Sequence, residues 1–143
     1  MARWIIMTGL VAAGCSMGSM SSGNQLRESI VAVNDALRWS RMDIAMQRVD
    51  PDYAELFVQR RQRWGQRVQL ADQELLNIRM ADDGEHATST VAWSWYAYDT
   101  MTMQQTVIEQ RWRKAHGTFV LIGENVLQGD PDLLRTRATE DAS

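Results

Sequence analysis

An α+β fold, with N-terminal helices packed on a four-stranded antiparallel sheet, is what the 143-residue sequence predicts. Three observations predict it. Apolar residues recur at helical spacing up to about Gly65. From Val68 onward the period changes to two, the signature of strands with one covered face. Turn signals at Asp83-Gly84, Thr100-Met101 and Gly117 then divide the second half into a four-strand meander.

In "NQLRESIVAVNDALRWS" the residues Leu26, Ile30, Val33 and Leu37 form a helical stripe, with Asn24 or Ser22 as the expected cap. "RMDIAMQRV" reads as a helical turn or a second, short helix. The third helix has a clear start. Asp50 is an N-cap, Pro51 takes the first helical position and Asp52 lies in the first turn, where an acid suits the helix dipole. Its expected apolar face is Tyr53, Leu56, Phe57 and Trp64.

Strand register comes from counting. A two-residue type I′ turn at Asp83-Gly84 sets Met80 against Ala87, Ile78 against Ser89 and Leu76 against Val91. A turn at Thr100-Met101 sets Trp95 against Thr106, Trp93 against Ile108 and Val91 against Gln110. Both place Leu76, Ile78, Met80, Val91, Trp93, Trp95, Ile108 and Trp112 on one inner face. The outer face then carries His86, Tyr96, Tyr98, Val107, Glu109, Arg111 and Arg113.

The N-terminus has a different logic. Arg3 supplies a positive start, Trp4 to Val11 an apolar run too short to span a bilayer, and Ala12-Ala13-Gly14 a zone of small residues. The only cysteine, Cys15, comes next. This stretch resembles the lipobox of bacterial lipoproteins, with Ala12 where that family prefers Leu. The resemblance implies a signal peptide at 1–14 and a diacylglyceryl group on Cys15, which becomes the first mature residue. It implies a membrane partner through that lipid and a location at the cell envelope, in the outer membrane facing the periplasm, given Ser16 rather than Asp after the cysteine. A plain secretory signal and an apolar first helix are the alternatives, and neither explains a lone cysteine at the cleavage point. Residues 15–24 read as the lipidated cysteine and a flexible tether, whose eight residues 16–23 reach about 28 Å at most. Residues 25–127 are the expected domain, and 128–143 a polar tail without sustained period.

The element order, with "TVIEQRWRK" and "GTFVLI" near the end, resembles the nuclear transport factor 2-like, or cystatin-like, superfamily. That resemblance implies a curved sheet forming a cone under the helices. In enzymes of the superfamily an acid/base residue lies inside the cone, yet no inner position from Leu76 to Trp112 is Asp, Glu or His. The expectation is therefore a non-catalytic binding or assembly module. The alternative is a polyketide cyclase- or isomerase-like enzyme, or a protein holding a small apolar ligand in the cone.

Trp93, Trp95, Gln110 and Trp112 are the candidate ligand pocket, an aromatic wall with one orienting amide, or else plain core. Tyr96, Tyr98, Arg111 and Arg113 are the candidate interface, for a homodimer or an envelope protein, since Tyr and Arg are enriched at such surfaces. Arg60, Arg61, Arg63 and Arg67 read as a solvated helix end or a contact for acidic groups. A net charge of −3 speaks against a nucleic-acid partner. Two histidines and one cysteine leave little for a metal site, and no cofactor is expected.

Overall fold

Helices come first and strands second, as the change of period requires. The computed structural model describes residues 21–136. Helix α1 (Ser22–Arg38) leads to the short α2 (Met42–Ala45), a 3₁₀ turn (Met46–Arg48) and α3 (Pro51–Gln59). Strands β1 (Val68–Met80), β2 (His86–Ala97), β3 (Met103–Ala115) and β4 (Thr118–Gly129) come next, then a 3₁₀ turn at Pro131–Leu134. The sheet is an antiparallel meander in the order β1-β2-β3-β4.

The stripe on α1 is the helical half of the core: Leu26, Ile30, Val33 and Leu37 are all buried. Its cap is Ser21, whose Oγ accepts from the Asn24 amide at 3.3 Å, rather than Asn24 or Ser22. Residues 22–24, expected in the tether, are thus the first helical turn. The expected start of α3 is found: Asp50 Oδ1 accepts from the Asp52 amide at 2.9 Å. That bond, first, and the Arg113 guanidinium hold the Asp50 carboxyl below its usual range against the opposing effect of burial. Tyr53 and Phe57 are buried, but Leu56 faces solvent. The helix ends at Gln59, so Trp64 reaches the core from the loop after it rather than from the helical face.

Register agrees with the count in one hairpin arm and departs from it at two places. Met80 faces Ala87 and Ile78 faces Ser89, as counted. The turn between them is wider than type I′: only Gly84 has a positive φ (66°), while Asp83 Oδ1 ties back the amides of Glu85 and His86. Leu76 does not face Val91. A bulge between Leu75 and Asn77 puts Leu75 opposite Val91 and turns Leu76 out to solvent. One extra residue in a strand switches the side chains beyond it to the other face. Between β2 and β3 the pairing is Trp93 with Thr106, Val91 with Ile108 and Ser89 with Gln110, two residues from the counted register. The connection is longer than two residues, with Met101 at φ 53°. An even slip keeps every face, so Trp93, Trp95, Ile108 and Trp112 remain inside.

Residues 128–136 are not a detached polar tail. Asp130-Pro131-Asp132 repeats the device of Asp50-Pro51-Asp52, with Asp130 Oδ1 accepting from the Asp132 amide at 2.9 Å. The turn it starts delivers Leu133 and Leu134 into the core. Trp64 Nε1 donates to the Leu133 carbonyl at 2.9 Å and Thr106 Oγ1 to the Asp130 carbonyl at 2.6 Å.

Candidate functional site

The structure does bring the four candidate pocket residues together, and it fills the space between them. Trp93, Gln110 and Trp112 are fully buried and Trp95 nearly so. Gln110 and Asn34 of α1 exchange two side-chain hydrogen bonds, both 2.9 Å. Gln110 Oε1 also accepts from Ser89 Oγ at 3.0 Å, and Ser89 Oγ accepts from Trp112 Nε1 at 2.9 Å. Trp95 Nε1 donates to Thr106 Oγ1 at 3.0 Å. Trp93 stacks edge-on against Trp64, centroids 5.9 Å apart. Gln110 is therefore the polar tie between helix and sheet, and the aromatic wall is core. A buried amide that makes its bonds to another amide is satisfied and has little left to offer a ligand.

The carboxylate inside the cone comes from β4. Glu124 shares the inner face with Gln110, its cross-strand partner, and is fully buried. Its Oε2 accepts from Arg61 Nη2 at 2.6 Å and its Oε1 from the Tyr53 hydroxyl at 2.8 Å. Arg60 Nη1 donates to the Tyr53 hydroxyl at 3.1 Å and to the Glu124 carbonyl at 2.9 Å. Burial alone would raise the Glu124 pKa. The charge and hydrogen bond of Arg61, with the Tyr53 hydroxyl, outweigh it and hold the group below its usual range. Burial, then the Glu124 charge, pushes the Tyr53 phenol up.

The arginine run is thus neither a solvated helix end nor one basic patch. Arg61 is buried, stacked 3.9 Å from the Phe57 ring centroid and 4.8 Å from that of Trp64. Arg60 serves Tyr53 and β4, and Arg63 donates to the Asp132 carbonyl. Only Arg67 of the four is an exposed side chain close to the β2–β3 end, where its carbonyl accepts from the Tyr98 amide.

The candidate interface residues divide into two groups. Tyr96 and Tyr98 meet edge to face, centroids 5.9 Å apart, at one end of the sheet, and the Tyr98 hydroxyl donates to Gln69 Oε1 at 2.8 Å. Tyr96 pairs with Met103, whereas Arg111 and Arg113 pair with Thr88 and His86 at the other end. Ten residues along β3, at about 3.3 Å each, separate the Tyr96 level from Arg113. The guanidinium of Arg111 lies over Gly123, where a Cβ would collide with it. Arg113 is bonded to the Asp50 carboxylate. One compact patch of all four residues is therefore corrected to two sites. The arginine end borders a shallow groove of ≈ 290 Å³ with Arg79, His86 and Ile122.

His86 and Glu109 lie on the outer side as counted, with His86 Nδ1 2.8 Å from Asp83 Oδ2. That contact, first, and two backbone amides lower the Asp83 carboxyl to about 2. Among the described residues no group of three or more His, Cys, Asp or Glu side chains is placed to hold a metal ion. No helix among them is long and apolar enough to cross a membrane. Cys15 and residues 1–20 lie outside the described residues, as do 137–143.

Comparison with solved structures settles the architecture. A protein of unknown function from Nostoc punctiforme, described as having a cystatin-like fold, superposes with a TM-score of 0.52 at 11% identity over 76% of this chain and 91% of that one. The fold is cystatin-like. A SEC-C motif-containing protein from Rhodopseudomonas palustris gives a TM-score of 0.56 at 14% identity, covering 75% of this chain and 89% of its own. The intermembrane-space region of the chloroplast protein ARC6 gives 0.53 at 9% identity, covering 76% and 97%. No family model and no curated protein matches the chain. At these identities the likeness is one of fold, and cystatin-like folds carry unrelated functions.

Glu124 and Asn34 are the residues that local reading of the sequence missed, while Arg61 and Tyr53 were singled out without Glu124 as their partner. For Glu124 a signal existed: in "TFVLIGENV" a glutamate interrupts an apolar strand, and such a residue is either on the outer face or paired.

Proposed function

We propose that the protein is a lipid-anchored lipoprotein of the cell envelope, held in the outer membrane facing the periplasm, and that its cystatin-like domain is a non-catalytic binding or assembly module. The observation that carries the proposal is the lone Cys15 at the end of a short apolar run and a small-residue zone. Two acyl chains on one cysteine give stable anchoring, each methylene contributing about 0.8 kcal/mol. Because the helix cap is Ser21, the chain from Cys15 to the domain reaches about 21 Å at most, at roughly 3.5 Å per residue. The domain then works within one domain's breadth of the bilayer. Support for a non-catalytic role comes from the interior. Its carboxylate is spent on Arg61 and Tyr53 and its amide on Asn34 and Ser89, so a cyclase- or isomerase-like reaction would have no free acid or base there.

Replacing Cys15 with Ser is expected to move the protein from the membrane pellet to the soluble fraction. A variant that still pellets like the wild type would contradict the anchor.

The partner surface in this reading is the outer sheet face at its Tyr96–Tyr98 end, with a second copy as the first candidate. Anchoring raises the effective concentration of neighbouring copies. Sedimentation of the protein should show a dimer that Tyr96→Glu converts to monomer, because an unpaired charge in a buried interface costs several kcal/mol. A wild-type monomer throughout the accessible concentration range would remove self-association.

A further inference from the structure

Just past α3 the chain carries one positive charge that its neighbours leave unbalanced. Arg60 and Arg61 stand beside a single carboxylate, Glu124, and Arg61 takes that carboxylate at 2.6 Å. The Tyr53 phenol next to them is neutral, its pKa pushed up by burial and then by the Glu124 charge. Arg60 makes its hydrogen bonds through Nη1 alone, to two uncharged oxygens, the Tyr53 hydroxyl and the Glu124 carbonyl. Its Nε and Nη2 make none and, unlike Arg61 Nε, are open to solvent. Those two nitrogens form the side-on edge of the guanidinium, which grips a carboxylate through two parallel N–H···O bonds. Arg60 also lines a groove of ≈ 500 Å³, bounded further by residues 124–126 of β4 and by Pro131, Leu134 and Arg135. Arg135 is already balanced, by Asp132 at 2.6 Å.

We propose that this groove binds a small organic monocarboxylate with an apolar body, the carboxylate taken side-on by Arg60 Nε and Nη2 and the body lying on Val126, Pro131 and Leu134. The volume is within the range of small-molecule sites. One negative charge follows from the count, because Arg61 and Arg135 are paired with Glu124 and Asp132 and only Arg60 is left over. A phosphate monoester, with nearly two charges at neutral pH, exceeds that count. A cation at the end of α3 also suits the helix dipole, a role that needs no ligand, and the experiment separates the two. The site shares no residue with the lipid anchor or the outer-face interface.

The test is a titration of the full-length ¹⁵N-labelled protein with benzoate and with benzamide, a neutral molecule of the same shape, tracking the backbone signals of Val126, Leu134 and Arg135. Benzoate is expected to shift these signals and to bind about tenfold more tightly than benzamide, the ratio that one charge-assisted contact supports. Arg60→Gln removes both the fork and the charge and is expected to bring the two affinities together. A merely structural Arg60 would leave their ratio unchanged. Pro131→Glu sets an acid at the exposed first position of the 3₁₀ turn, where a helix start accepts one, and is expected to weaken benzoate about tenfold while sparing benzamide. If Arg60→Gln does not fold, the wild-type ratio and Pro131→Glu decide. Signals unmoved by benzoate, equal affinity for the two probes in the wild type, or an undiminished preference for benzoate in either variant would each overturn the proposal.

Discussion

Glu124→Gln is expected to destabilise the protein by about 3–5 kcal/mol, the range for leaving one partner of a buried ion pair without its counter-charge. Arg61 has no exposed side-chain surface through which water could replace the lost carboxylate. The Tyr53 hydroxyl loses a charged acceptor at the same stroke. Denaturant unfolding of wild type and variant measures the difference. Replacing both members with apolar residues of similar volume, Arg61→Met with Glu124→Leu, is expected to recover most of the loss, because the cost lies in the orphaned charge rather than in the missing bond. Acid should act in the same way. The Glu124 pKa is lower in the folded protein than its ordinary value of 4.5, so its contribution is complete above the unfolded value and is lost as pH falls through the folded one. Wild type should therefore lose stability on the acid side of 4.5, and Glu124→Gln should lose less over the same range. A variant as stable as wild type at neutral pH would mean that the pair is not closed off from water.

Ending the chain after Leu127 is the second large effect. It removes Leu133 and Leu134, both buried in the core, and the carbonyls that Trp64, Arg63 and Thr106 donate to. Each buried leucine is worth about 2–5 kcal/mol by large-to-small substitution. For a chain of this length the melting temperature should fall by more than about 10 °C. Leu133→Ala alone, which leaves the backbone acceptors in place, should cost about 2–5 kcal/mol and so separate packing from hydrogen bonding. A truncated protein that melts with the wild type would return these residues to the role of a loose tail.

Periodicity was the legible part of the sequence. The α1 stripe, the Asp-Pro start of α3 and the switch from helix to strand all depend on near neighbours, and each appears in the structure where the residues place it. Faces on β2 and β3 survived a two-residue error in register because side chains alternate with period two. Leu76 failed for the complementary reason, since a bulge carries no distinctive residue and changes parity at one position. The Arg61–Glu124 and Asn34–Gln110 pairs are 63 and 76 residues apart in sequence, and only the closed fold makes them partners. "DPDLL" was legible in principle, because it repeats the "DPD" start of α3, but its polarity and shortness hid two core leucines. The tyrosines and arginines of the outer face share parity without sharing a place, since alternation fixes the side of a sheet and says nothing of distance along it.

The measurement that tests the central claim most directly is the intact mass of the protein extracted from its native membranes. Lipid anchoring predicts a chain lacking residues 1–14 whose N-terminal Cys15 carries the added mass of a diacylglyceryl group, with the modification localised to that residue by fragmentation. A species retaining residues 1–14, or one beginning at or near Cys15 with an unmodified thiol, would contradict it.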